Sequence, residues 1–179
     1  MRTLLGKDVP FHLIALGLFI ALKFFFTIAS NDHLFFLLKP TDAIVGAMLG
    51  SQSVYSSDAG YFHENFNILI DRSCSGYNFW ILSFLVFTYL FVKYSEDLKH
   101  RILSIPLALM AGYALAIFSN TSRIFVSIII QKKVDFTDDS YHDLLHQVIG
   151  ITTNLTFLML AYILTENILK RKFYHAKFA

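Results

Sequence analysis

Three side chains give this chain its capacity for covalent chemistry: the thiol of Cys74, the guanidinium of Arg123 and the imidazole of His146. Cys74 is the sole cysteine among 179 residues and lies in the run Asp71-Arg72-Ser73-Cys74-Ser75-Gly76, just ahead of a long apolar segment. A cysteine attacks as its thiolate, which forms readily where positive potential stabilises it, as at a helix N-terminus. Ser75 can cap the N–H groups of a helix entry, and Gly76 lets a substrate backbone come close. The plainer alternative is a free thiol packing as a small hydrophobe.

His146 can act as the base that takes the thiol proton and later returns it to a leaving amine. His142 lies one turn earlier on the same helical face and competes for that role. The i, i+4 pair also resembles half of a metal site of the H-E-x-x-H kind. However, Tyr141-His142-Asp143-Leu144-Leu145-His146 has no glutamate and brings no third ligand, so no metal or other cofactor is expected. The plainer alternative for either histidine is an interfacial side chain bonded to a carbonyl or water.

Arg123 follows the polar knot Ser119-Asn120-Thr121-Ser122, with Phe118 on one side and Ile124–Ile130 on the other. A guanidinium in such surroundings needs water, a partner or an anion. Its planar donor fork suits a carboxylate or a developing oxyanion. Asn120 shares its face and could orient it or donate a bond itself. The alternative is snorkelling to the headgroups.

The elements that carry these residues are apolar. The composition is 55% hydrophobic and 16% charged, more apolar surface than a soluble domain of this size can hide. A single cysteine excludes an internal disulfide and any site needing two thiolate ligands. The net charge of +2, with no basic run interleaved with aromatics, argues against nucleic acid as a partner. The reading is one integral membrane domain over 1–179, all-α and polytopic, with spans at about 9–29, 77–94, 102–118 and 146–164. The first span carries Lys23 and is expected to be a retained helix, its apolar run exceeding that of a signal peptide. Between Leu34 and Leu49, Lys39-Pro40-Thr41-Asp42 splits two short apolar runs, which predicts an interfacial or re-entrant segment. A polar stretch from Ser51 to Arg72 follows, with Asp58-Ala59-Gly60 as a turn and Phe66, Ile68 and Ile70 alternating as in a small strand.

Lysine and arginine collect at the N-terminus, in Lys93–Arg101 and in the tail with Lys170, Arg171, Lys172 and Lys177. The rule that these residues stay cytoplasmic puts all three there in a four-span chain. Cys74, Arg123 and His146 then share one depth on the outer side.

Together, Cys74-Ser75-Gly76, Asn120-Thr121-Ser122-Arg123 and His146-Gln147-Val148-Ile149-Gly150 resemble the signature of the exosortase/archaeosortase family, over roughly Phe66 to Thr156. The chain looks most like compact members such as exosortase K. The resemblance implies a membrane cysteine protease/transpeptidase with Cys74 as nucleophile, Arg123 as transition-state stabiliser and His146 as base. It implies as partner a membrane-anchored exported protein with a C-terminal PEP-CTERM-like sorting signal, comprising a short motif, a helix and a basic tail. The setting it implies is the bacterial inner membrane, with the site facing the periplasm. The reading from another class is a non-enzymatic scaffold or transporter-like subunit, in which Arg123 pairs with an acidic partner.

Overall fold

A computed structural model describes the backbone of residues 2–131 and 139–178, and side chains for residues 6, 8–130 and 147–172. The described residues form five α-helices and one small sheet. The helices are α1 (Arg2–Ile28), α2 (Phe35–Leu49), α3 (Tyr77–Lys93), α4 (Leu98–Gln131) and α5 (Asp139–Phe178). The strands β1 (Val54–Ser56), β2 (Gly60–His63) and β3 (Ile68–Ile70) follow α2. They form an antiparallel sheet in the order β1-β2-β3, with Tyr55 opposite Tyr61 and Tyr61 opposite Ile70.

Among the described residues, four helical segments are long and apolar enough to cross a membrane: Asp8–Ile28, Arg72–Lys93, Leu98–Ile130 and Gln147–Lys172, with mean hydropathies of 2.1, 1.4, 2.0 and 1.7. Their apolar character continues on the outward faces. Leu13, Phe24 and Ile28 of α1 are 62%, 70% and 79% exposed, which only a lipid surrounding tolerates along a whole helix. The protein is a helical, multi-pass membrane protein.

Two elements differ from the sequence reading. Pro40 does not split the segment after α1, since α2 runs through it as one helix. Proline's fixed φ fits a helix and forfeits a single ladder bond, and Thr41 Oγ1 donates to Leu37 O at 2.8 Å beside it. At about 22 Å, α2 is too short to cross the roughly 30 Å apolar layer. The polar knot after Phe118 likewise does not end a helix, because α4 continues to Gln131. Ser119, Asn120, Thr121 and Ser127 are buried there, so the polar groups face protein and the helix has no reason to stop. The expected small strand is β3, although Phe66 falls in a 3-10 turn ahead of it.

The chain divides into two compact units interleaved in sequence. One comprises residues 1–27, 78–115 and 158–179. Its core packs Phe84 and Phe87 against the small residues Ala15 and Ala108, which let the helices approach closely. Polar ties hold its ends. Lys23 Nζ donates to Asn78 Oδ1 at 2.6 Å, so this intramembrane lysine has a named acceptor. Arg101 Nη2 stands 3.2 Å from Asp8 Oδ1, an ion pair outside ideal hydrogen-bond angles. Glu166 gathers Lys93 Nζ at 3.1 Å, Lys170 Nζ at 3.3 Å and the Tyr94 hydroxyl at 3.1 Å.

The other unit comprises residues 28–77 and 116–157 and holds the sheet, α2 and the candidate site. Leu37, Leu38, Thr41 and Val45 form the buried face of α2. His63 of β2 is fully buried, with Nε2 3.0 Å from Asp42 Oδ1 and Nδ1 3.2 Å from Ser51 Oγ, which ties the sheet to α2. Tyr55 donates to Asp32 Oδ1 at 2.5 Å, and that bond to a carboxylate pushes its phenol up to about 12.

Candidate functional site around Cys74

β3 ends at Ile70, and the next residues build a single 3-10 turn, Arg72–Cys74, before α3 starts at Tyr77. Asp71 caps this turn. Its Oδ1 accepts from the Ser73 N–H at 3.0 Å, the Ser73 hydroxyl at 2.6 Å and the Cys74 N–H at 3.3 Å. This is the behaviour expected of an Asp whose short side chain satisfies backbone donors two and three residues on. Ser75 then caps the helix entry as anticipated, its Oγ accepting from the Tyr77 N–H at 3.3 Å.

Gly76 has φ +70, and a Cβ there would lie 3.2 Å from Asn120 Cβ. Both the left-handed backbone and the close approach of α4 account for glycine at this position. The close neighbour is Asn120 of the same chain, where the sequence reading had looked for a substrate backbone.

Asn120 is 2% exposed and donates from Nδ2 to the carbonyl of Cys74. The sequence reading left open whether Asn120 orients Arg123 or donates a bond itself; its carboxamide donates to the cysteine turn. One turn further along α4, Arg123 Nη2 donates towards Cys74 Sγ at 3.6 Å. The thiol is half-buried, and the Ser73 hydroxyl lies 3.8 Å from the sulfur. The single Ser73 hydroxyl proton goes to Asp71 at 2.6 Å, so Arg123 is the donor aimed at the sulfur.

Arg123 is held from the opposite side by α5. A Cβ on Gly150 would lie 3.2 Å from Arg123 Cδ and 3.5 Å from Nε and Nη1, so the guanidinium stem crosses the helix where it has no side chain. Ser119 Oγ donates to Asn154 Oδ1 at 2.8 Å, and Phe118 meets Phe157 edge-on at 5.0 Å, which joins α4 to α5 around this crossing. Gly150→Val is expected to push the guanidinium off the sulfur while leaving Arg123 itself in place. Alkylation of Cys74 by a membrane-impermeant maleimide should then slow about tenfold, the equivalent of one charge-assisted hydrogen bond of ~1.5 kcal/mol.

The structure therefore brings together Cys74, Ser75, Gly76, Asn120 and Arg123. His142 and His146 belong to the first turns of α5, but their side chains lie outside the described residues. His146 precedes Gly150 by four residues, one helical turn, and α5 is the helix that Arg123 crosses.

Two contributors were missed in the sequence. Asp71 was visible in principle, since an Asp two residues before a Ser-Cys pair is a turn-capping pattern. Asn31 was not. Its side chain reaches across 41 residues to accept from the Arg72 N–H at 2.8 Å, and no local pattern announces that contact.

No protein-family model, no curated protein and no solved structure matches this chain.

Proposed function

We propose that the protein is a membrane-embedded cysteine peptidase or transpeptidase with Cys74 as its nucleophile. The observation that carries this reading is the 3.6 Å approach of Arg123 Nη2 to Cys74 Sγ, made across 49 residues of sequence at a half-buried thiol. A guanidinium recruited to the only sulfur available for attack is what thiolate chemistry needs.

In the reaction, the Cys74 thiolate adds to a peptide carbonyl and forms a C–S bond. The Cys74 N–H already serves Asp71, so it is not the donor for the new oxyanion. Arg123 has five N–H donors and supplies that role from the side chain. His146, or His142 one turn earlier, takes the thiol proton and delivers it to the departing amine. Collapse of the tetrahedral adduct breaks the C–N bond and leaves a thioester. Water then releases an acid, or an acceptor amine takes the acyl group.

The substrate is a membrane-anchored exported protein with a C-terminal helix and a basic tail, carrying a PEP-CTERM-like signal. The basic N-terminus, the Lys93–Arg101 connection and the Lys170–Lys177 tail support a cytoplasmic location for those three segments and an outward-facing site. The setting that fits is the inner membrane of a bacterium. The interfacial reading of α2 suits its length, which is too short for a span.

The test combines two measurements. Co-expression with a candidate substrate should yield its shortened form, and acid quenching should trap substrate on Cys74 as a hydroxylamine-labile adduct. Alkylation of Cys74 by an impermeant maleimide should fall when Arg123 or His146 is replaced. An alkylation rate indifferent to both, together with a complex that dissociates on Arg123→Ala, would replace this reading with that of a non-enzymatic scaffold.

A further inference from the structure

The turn that carries Cys74 is held at both ends by buried carboxamides. Asn120, 2% exposed, holds its end through the carbonyl of Cys74. Asn31, 7% exposed, holds its beginning, where its Oδ1 accepts from the Arg72 N–H at 2.8 Å. Asn31 does more than close the turn. Its Nδ2 donates to the carbonyls of Ser57 at 3.0 Å and Asp58 at 3.1 Å. Those two residues form the bend between β1 and β2. One oxygen and both N–H donors of the carboxamide are thus engaged, on two segments 26 to 41 residues away in sequence.

We propose that Asn31 is the positioning residue of the Cys74 turn, locking it to the β1–β2 hairpin so that the thiol stays within reach of Arg123. This deepens the assignment of Cys74 as nucleophile and rests on it. The hairpin and the cysteine turn are joined twice. The sheet links them through β2 and β3, and β3 runs directly into Asp71. That connection fixes the start of the segment, and Asn120 holds its end at the Cys74 carbonyl. The Asn31 bond to the Arg72 N–H ties the turn to the hairpin as well, and the two bonds to the hairpin carbonyls fix Asn31 itself. The bonds of Asn31 go to the Arg72 N–H and the hairpin carbonyls, so it acts through the turn.

The experiment measures the rate of Cys74 alkylation by an impermeant maleimide on the full chain in liposomes, so no substrate is required. Asn31→Ala and Asn31→Asp are each made alone and together with Arg123→Lys. Asp keeps an acceptor for the Arg72 N–H but loses both donors to the hairpin, so it also covers the case in which the alanine variant fails to fold. In the parent chain, Arg123→Lys should slow alkylation about fivefold. Each Asn31 variant should slow it to a similar degree, and adding Arg123→Lys should then change nothing further, because the thiol has already left the guanidinium.

Two results overturn the proposal. One is alkylation at the parent rate in both Asn31 variants. The other is slowed alkylation on which Arg123→Lys retains its full effect, which would make Asn31 a residue of general stability only. Failure of the nucleophile assignment reads differently: substrate processing would then survive Cys74→Ala while the coupling between Asn31 and Arg123 stayed intact.

Discussion

Cys74→Ala is expected to abolish substrate shortening, and Cys74→Ser to reduce it by about ten-thousand-fold or more. Losses of that order accompany removal of the nucleophile from hydrolases that act through a covalent intermediate. The serine variant is the sharper of the two. A hydroxyl occupies nearly the same volume, and the bonds that shape the turn all use the backbone or neighbouring side chains: Asp71 to the Cys74 N–H, Asn120 to its carbonyl, Ser75 to the Tyr77 N–H. None needs the sulfur, so the fold should change by less than ~1 kcal/mol. What the variant loses is the sulfur nucleophile, for which a serine hydroxyl is a far weaker substitute unless a base is built to activate it. The measurement is the ratio of full-length to shortened substrate in co-expressing cells, alongside thermal melts of each purified variant. Undiminished processing by either variant would sink the assignment.

The spans and the cysteine turn were legible for physical reasons that do not extend to the rest. Long apolar runs can only be helices facing lipid, so the multi-pass character follows from composition and length. A Ser-Gly pair before such a run marks a helix entry, and Tyr77 is where α3 begins. Hydropathy read along the chain cannot tell a polar group facing protein from one that ends a span. Ser119, Asn120 and Arg123 therefore read as an interruption, although each makes a tertiary bond from within a continuous helix. Strands of three or four residues are too short to show a period of two, and β1 and β2 escaped notice for that reason. Asn31 is the limiting case. Its three bonds depend on where two distant segments arrive, and sequence spacing carries no trace of that.

Arg123→Ala is expected to lower turnover by about a hundred- to a thousandfold, the usual cost of ~3–4 kcal/mol for deleting an oxyanion donor in a site closed to water. The prediction is specific because of what surrounds the guanidinium. The Cys74 N–H is taken by Asp71, so no backbone donor at the nucleophile stands in once the side chain is gone. Gly150 opposite gives the stem its path. Arg123→Lys keeps the charge but exchanges a planar fork for a single flexible ammonium. It should retain part of the thiol's reactivity yet recover little of the turnover, because stabilising a sulfur anion needs charge whereas holding an oxyanion needs aimed donors. The two readouts should therefore separate. Alkylation of Cys74 should order parent, then lysine, then alanine in graded steps, while substrate turnover by the lysine variant should lie close to that of alanine. If lysine instead restored turnover in proportion to alkylation, the guanidinium would act on the thiol alone. The oxyanion donor would then have to come from another group, with the first turns of α5 the next place to look.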